Sequence, residues 1–275
     1  MSSATAAWRS NRSTRGLAGA LVPLWAGVRL QAALIRARPD YWMTSAVTPF
    51  LGVVFLAVVR QAGRDDLVAA AVLAPVLYAL VVMSLSISGE TIENDRWAGT
   101  LEPALATPVP LAAPVFGRVA AVTALASVGF VVSWLLAWAL FGVVVTIPHP
   151  VVFGLGVISL LFAMSATALL MAAVFVLARS ARSFQNSLSF PLHVLGGVVV
   201  PVTYLPDWLE PLARLVFLSW SSDLLRDALD PAPVEAAAPR LLLVGVMGVA
   251  TLRLAHVVMA RIVDRARSLG SVTYA

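Results

Sequence analysis

The sequence predicts an all-α polytopic membrane protein, and three observations carry that expectation. The 275 residues are 60% hydrophobic and only 12% charged, with a mean hydropathy of +0.90, whereas soluble domains carry about 25% charged residues. Six apolar runs approach or exceed the roughly 20 residues that a helix needs to cross a bilayer core. The arginines also gather on one set of connecting segments, as the positive-inside rule requires.

The N-terminal residues 1–40 read as a cytoplasmic tail followed by an interfacial helix. The apolar run Leu17–Val28 is short, is broken by Pro23 and is followed by Arg29, Arg36 and Arg38 without a small-residue cleavage site, which argues against a secretory signal. Leu21, Leu24, Trp25, Val28, Ala32 and Ile35 recur at helical spacing and predict an amphipathic helix lying in the membrane interface.

The predicted spans are Tyr41–Val59, Leu67–Ser88, Val119–Ile147, Val151–Ala178, Ser187–Val202 and Leu241–Ala260, forming one transmembrane domain over 41–260. Pro148 and Pro150 are expected to stop the third and fourth helices, because proline cannot continue the hydrogen-bond ladder. Residues 261–275 form a second cytoplasmic tail. With both termini inside, 14 of the 19 arginines fall on the cytoplasmic side. Only the loop 60–66 runs against the bias, with Arg60 and Arg64 beside Asp65 and Asp66. The net charge of +5 therefore belongs to membrane edges, and nucleic acid is not a predicted partner; membrane lipid is.

Absences narrow the function. The chain has no cysteine and no lysine, which excludes thiol chemistry, Cys-based metal sites, Schiff-base chemistry and the lysine-dependent P-loop. His149, His193 and His256 lack ligand spacing, so no metal site is predicted. The span interiors carry no acidic residue, and no proton relay can be assembled from His193, Arg253 and His256. Arg253 either snorkels to the headgroups or has a buried partner. The serines have no paired base, so no catalytic residue is predicted. Ser159, Ala163 and Thr167 stand at i, i+4, i+8 and permit close helix packing.

One stretch is polar, "ENDRWAGTLEPALATPVP" at 93–110. Glu90, Glu93, Asn94 and Trp97 share a helical face. Gly99 breaks the helix, and Thr100 is a plausible N-cap for a second short helix from Leu101. Glu102 and Pro103 suit its first turn, and Thr107, Pro108 and Pro110 end it. The product is a short stiff helix shaped for another protein's groove. The glutamates otherwise form a solvated helix end, and Arg96 either anchors at phosphates or pairs with Glu93.

These residues carry a resemblance. Glu90, Arg96, Gly99, Thr100, Leu101, Glu102, Leu105, Thr107 and Pro108 resemble a signature of the ABC-2 type permeases of ATP-binding-cassette exporters. A second stretch at 201–229 is similar to another, through Pro201, Leu205, Pro206, Trp208, Trp220, Asp223, Leu225 and Arg226. Phe217 stands where that family usually has proline, which puts the local turn in question. The resemblance implies a coupling helix at 101–108 seated in a separate ATPase, and external re-entrant helices between segments five and six that close the exit. It implies a partner ABC ATPase in two copies that binds the ATP and magnesium, with no cofactor in this chain. It also implies a second permease, either identical or homologous, in a dimer. Trp208 and Trp220 read as interfacial belt residues or substrate ligands, and the external charges as a self-pairing set. The expected role is that of a non-enzymatic permease exporting an amphiphile: a secondary metabolite or drug, a lipid, or a lipid-linked glycan. The alternative is an ATPase-independent membrane enzyme or assembly scaffold. Exclusive use of arginine points to a high-GC bacterial source and its cytoplasmic membrane.

Overall fold

The structure, a computed structural model, describes residues 17–37, 39–64, 67–100, 103–104, 110–177, 181–198 and 201–269. Among these the chain is helical, with no strand. The helices are α1 (Leu17–Ala37), α2 (Pro39–Gln61), α3 (Val68–Trp97), α4 (Ala112–Ala126), α5 (Val128–Phe141), α6 (Pro150–Leu177), α7 (Ala181–Leu195), α8 (Glu210–Ala213), α9 (Phe217–Asp227) and α10 (Ala237–Leu269). A 3-10 turn covers Val202–Tyr204.

α3 is the axis of the bundle. It packs against α2, α4, α5, α6, α7 and α9, and 72% of its most apolar stretch is buried. A helix apolar on every side is stable only where protein or lipid surrounds it. α10 is its opposite: 17% of its apolar stretch is buried, and Leu242, Val246, Val249, Leu254 and Val257 face outward. α10 packs mainly on α6, where Gly248 lets it close on Phe162 and Ala163, as the small-residue spacing around Ala163 predicts. Arg253 and His256 lie on its exposed side.

Among the described residues, four helical stretches are long and apolar enough to cross a membrane: Val68–Trp97, Ala112–Phe141, Pro150–Val176 and Ala237–Arg265. Phe50–Gln61 is a shorter apolar helix. The chain is an all-α polytopic membrane protein.

Three boundaries differ from the sequence-based expectation. The third span does not run as helix from 119 to 147. It begins at Ala112, bends at Ser127 and ends at Phe141, and residues 142–147 are non-helical. Gly142 is the cause: it turns left-handed at φ 64°, its N–H bonds to Trp138 O at 2.9 Å, and the next N–H reaches Ala137 O at 3.2 Å. The β-branched run Val143–Ile147 then favours extended backbone. Pro150 starts α6 instead of ending a helix, since a first-turn proline loses no ladder bond. The third difference is in the fifth span. α7 stops at Leu195, and Gly196–Gly197 make a turn with φ 61° at Gly197, so 196–198 are not part of a helix to 202.

α1 does more than lie in an interface. Gln31 and Ile35 are buried, Leu24, Val28 and Ala32 are half-buried, and α1 packs along α4. The contact is backbone to backbone. A Cβ built on Gly27 would stand 2.1 Å from Pro114 O, and one built on Gly117 would stand 2.1 Å from Leu24 O. Only residues without a Cβ permit that approach. The opposite flank exposes Leu21, Val22, Trp25 and Leu30 together with Arg29 and Arg36, a mixed apolar and basic face.

Gly27→Val and Gly117→Val should each separate α1 from α4 and cost at least the roughly 1–3 kcal/mol of an overpacked core. Gly154 has nothing within 4 Å of a built Cβ, so Gly154→Ala should leave stability equal or higher. Thermal unfolding of the purified variants, followed by size-exclusion chromatography, measures both effects.

Candidate functional site

Polar side chains concentrate at the two ends of the bundle. At one end, the last turn of α3 is held from both sides. Asp95 and Arg96 are adjacent and therefore point about 100° apart around the helix. Asp95 meets Arg118 of α4, whose Nη1 donates to both carboxylate oxygens at 3.0 and 2.8 Å. Arg118 is 6% exposed, and its Nε donates to Gln31 Oε1 of α1 at 3.3 Å. Arg96 reaches the other way and donates to Val176 O at the end of α6, 2.9 Å away. The contact observed for Arg96 is thus a backbone carbonyl of α6 rather than the Glu93 carboxylate.

Beyond Arg96 the helix ends in a Schellman motif. Gly99 adopts φ 65°, its N–H bonds to Arg96 O at 3.1 Å, and the Thr100 N–H bonds to Asp95 O at 2.9 Å. The glycine break read from the sequence is therefore real and has a full set of hydrogen bonds. Thr100 Oγ1 donates backward to Asp95 O at 3.2 Å, while its carbonyl accepts from the Ala104 N–H at 3.1 Å. The Thr100 hydroxyl thus bonds back to α3, while its carbonyl takes an N–H of the stretch ahead. Pro103 and Ala104 are helical; Leu101, Glu102, Leu105, Thr107 and Pro108 lie outside the described residues. Glu90 and Glu93 are half-buried, Asn94 is exposed, and Trp97 stands 85% exposed at the tip. Inside the bundle a polar seam continues from this end, with Ser84 Oγ and Thr123 Oγ1 3.1 Å apart between α3 and α4.

At the opposite end, α9 is fastened to the turn after α7. Arg226 donates to the carbonyls of Gly197 and Val198, the latter at 3.1 Å, and to Asp223 at 3.4 Å. Asp223 also accepts from Arg214 at 2.7 Å. Arg214 lies over the Trp220 ring, 5.0 Å from its centroid, and its carbonyl takes the Trp220 Nε1–H at 2.9 Å. Ser222 donates to Gly196 O at 2.7 Å. Burial lowers the pKa of Arg226, and Asp223 and Asp227 pull it back up; starting from arginine's high ordinary value, the group stays charged.

The structure thus brings together Trp220, Asp223 and Arg226 from the predicted external set. Pro201 and Pro206 flank the 3-10 turn, and Trp208 projects 72% exposed. Trp220 is a half-buried structural tryptophan. The turn before Phe217 forms without proline: Val216 is extended, and buried Phe217 opens α9. His149 of the α5–α6 connector hydrogen-bonds Ala232 O at 2.9 Å, placing that connector on the α9 side.

Gln31, Asp95 and Arg118 were not singled out by the sequence. Their contacts join positions 87 and 23 residues apart. The one available signal was an arginine preceding an apolar run and an aspartate inside the polar stretch.

Among the described residues, the apolar helices of the bundle thus carry their two main charged clusters at opposite ends. Residues 24–229 match the ABC-2 type transporter family. The chain belongs to that family: it is a multi-pass membrane permease component of an ABC-type transporter, and it works with an ABC ATPase subunit that uses the ATP. No curated protein matches it.

Removing the Asp223 carboxylate takes an anion from two guanidiniums, leaving Arg214 with Glu210 and Arg226, 13% exposed, with two backbone carbonyls. Asp223→Ala should therefore cost about 1–3 kcal/mol, the range for a lost charged hydrogen-bond acceptor. It should also open the 199–216 segment to limited proteolysis. Asp207 is exposed, and Asp207→Ala should change stability by less than about 0.5 kcal/mol.

Proposed function

We propose that the chain is the permease subunit of an ABC exporter that moves an amphiphile across the cytoplasmic membrane of a bacterium. Its cargo is a secondary metabolite or drug, a lipid, or a lipid-linked glycan. Two copies of the ATPase and a second permease, identical or homologous, complete the machine. The observation that carries this reading is the double clamp on the last turn of α3, to α4 through Asp95 and to α6 through Arg96. A loop that merely joined two helices would have no use for a rigidly held base.

In this reading, six spans cross the membrane with both termini inside. Residues 1–40 form the tail and interfacial helix, 41–260 the transmembrane domain and 261–275 the second tail. The stretch after Trp97 is the coupling helix. Glu90, Glu93, Arg96, Gly99, Thr100, Leu101, Glu102, Leu105, Thr107 and Pro108 face or shape its seat in the ATPase. When ATP draws the ATPase pair together, the push passes through the Gly99 corner into α3, and the clamps carry it to α4 and α6. The Pro201–Arg226 element, including Pro206, Trp208, Trp220 and Asp223, is the outer gate, and the Arg226 contacts with the α7 turn hold it shut. The uncharged span interiors favour an apolar or amphipathic cargo taken from the inner leaflet.

Glu102→Lys should weaken co-purification of the ATPase at least tenfold and lower the coupled ATP hydrolysis. Full retention with full coupled activity would disprove the assignment of the coupling helix. A topology reporter placed at Pro148–Pro150 should read as external, and a cytoplasmic signal there would overturn the six-span arrangement.

A further inference from the structure

α1 touches the rest of the protein through a narrow set of contacts, and one of them is unlike the others. Most of its buried face meets α4 through apolar and backbone contacts around Gly27 and Gly117. Such contacts fix where α1 crosses α4 but make no directional polar bond toward the end of α3. Gln31 is different. It is fully buried, and its Oε1 accepts from Arg118 Nε at 3.3 Å, while the same guanidinium holds both Asp95 oxygens. A planar guanidinium fixes the direction of its partners as well as their distance. Buried polar contacts of this kind penalise any shift that leaves a donor or acceptor unpaired.

Three helices thus meet at one side chain: α1 through Gln31, the last turn of α3 through Asp95, and α4, which supplies Arg118. Asp95 also closes the α3 corner, since its carbonyl accepts from the Thr100 N–H and Oγ1. Any displacement of the 101–108 stretch therefore begins at the residue that Arg118 grips.

We propose that Arg118 is a positioning residue that pins α1 to the coupling end of α3, so that α1 follows that end through the transport cycle instead of staying behind in the membrane interface. The proposal rests on the coupling reading above and extends it: the ATPase stroke is delivered to the N-terminal helix at the same moment as to α3. Arg118 touches no nucleotide or cargo and acts through Gln31 and Asp95.

The test uses the full chain with its co-purified ATPase in lipid nanodiscs. The chain has no cysteine, so Ala33→Cys on the exposed side of α1 and Trp97→Cys at the tip of α3 take spin labels without background. Labelled chain diluted with unlabelled chain gives the intramolecular separation by double electron–electron resonance. In the native background this separation should be the same in the nucleotide-free and ATP–vanadate-trapped states. In Arg118→Met and Gln31→Leu it should broaden and differ between the states by about 2 Å or more, the scale of helix shifts in switching proteins. Gln31→Glu keeps an acceptor for Nε and should restore the native result. A residue that only stabilised the fold would lower the unfolding temperature and leave the separation equal in both states. If Arg118→Met does not assemble, Gln31→Leu carries the test, because it leaves the Asp95–Arg118 pair in place. Native-like, state-independent separation in the variants overturns the proposal, as does a state-dependent separation in the native background. The coupling reading fails separately, through full retention of the ATPase by Glu102→Lys, and in that event the Ala33–Trp97 distances still judge the pin.

Discussion

The last carbonyls of any helix lack intrahelical donors, and in apolar surroundings nothing outside the protein supplies them. Much of this structure is organised around that constraint. Arg96 crosses to Val176 O at the end of α6, Arg60 to Phe141 O at the end of α5, and Arg226 to the carbonyls just after α7. Each guanidinium brings positive charge to the negative end of a helix dipole and ties that end to a different element. The same contacts that satisfy the backbone therefore also set how the helices stand relative to one another. Arg60 lies in the last turn of α2, so its contact ties that turn to the end of α5.

Left-handed glycines do the complementary work inside each chain turn. Gly99 and Gly142 both let a following N–H fold back onto the final helical carbonyls. At Gly99 this creates a corner, with α3 behind it and the short 103–104 helical stretch ahead. At Gly142 it releases the chain into an extended connector that runs to α6. At Gly197 the left-handed turn exposes carbonyls for Arg226 to collect. The two ends of the bundle share a strategy but not a purpose. On the α1 side the fastened elements are long helices, whereas on the α9 side a short element is strapped over a helix end.

Long-range charge pairing was the part least visible in the sequence. The apolar runs for α3, α6 and α10 were legible because length and hydropathy leave few alternatives for such stretches. The break at Gly99 was legible because glycine after a helical polar face is a strong local stop signal. The end of α5 was misplaced because hydropathy does not distinguish an apolar helix from an apolar extended strand of chain, and the valine run after Gly142 is equally apolar in either form. Pro150 was read as a stop although it is also a good first helical residue. The Gln31–Arg118–Asp95 cluster was invisible, since nothing local tells a buried arginine from one at a headgroup. The close crossing at Gly27 and Gly117 was hidden for the same reason: two glycines 90 residues apart in the chain carry no mark that they meet.

That crossing has a consequence for how the protein is made. α1 leaves the ribosome long before its partner: Gln31 and Arg118 are separated by 87 positions, about 4 to 17 seconds of synthesis at 5–20 residues per second. For that interval the glycine groove of α1 has no α4 to close upon, while its other flank already carries Leu21, Val22, Trp25 and Leu30. That exposed flank also carries Arg29 and Arg36, so until α4 is made the helix meets its surroundings with a mixed apolar and basic face. The glycine flank is therefore the side that closes last, because the glycine it meets lies 90 positions further along the chain.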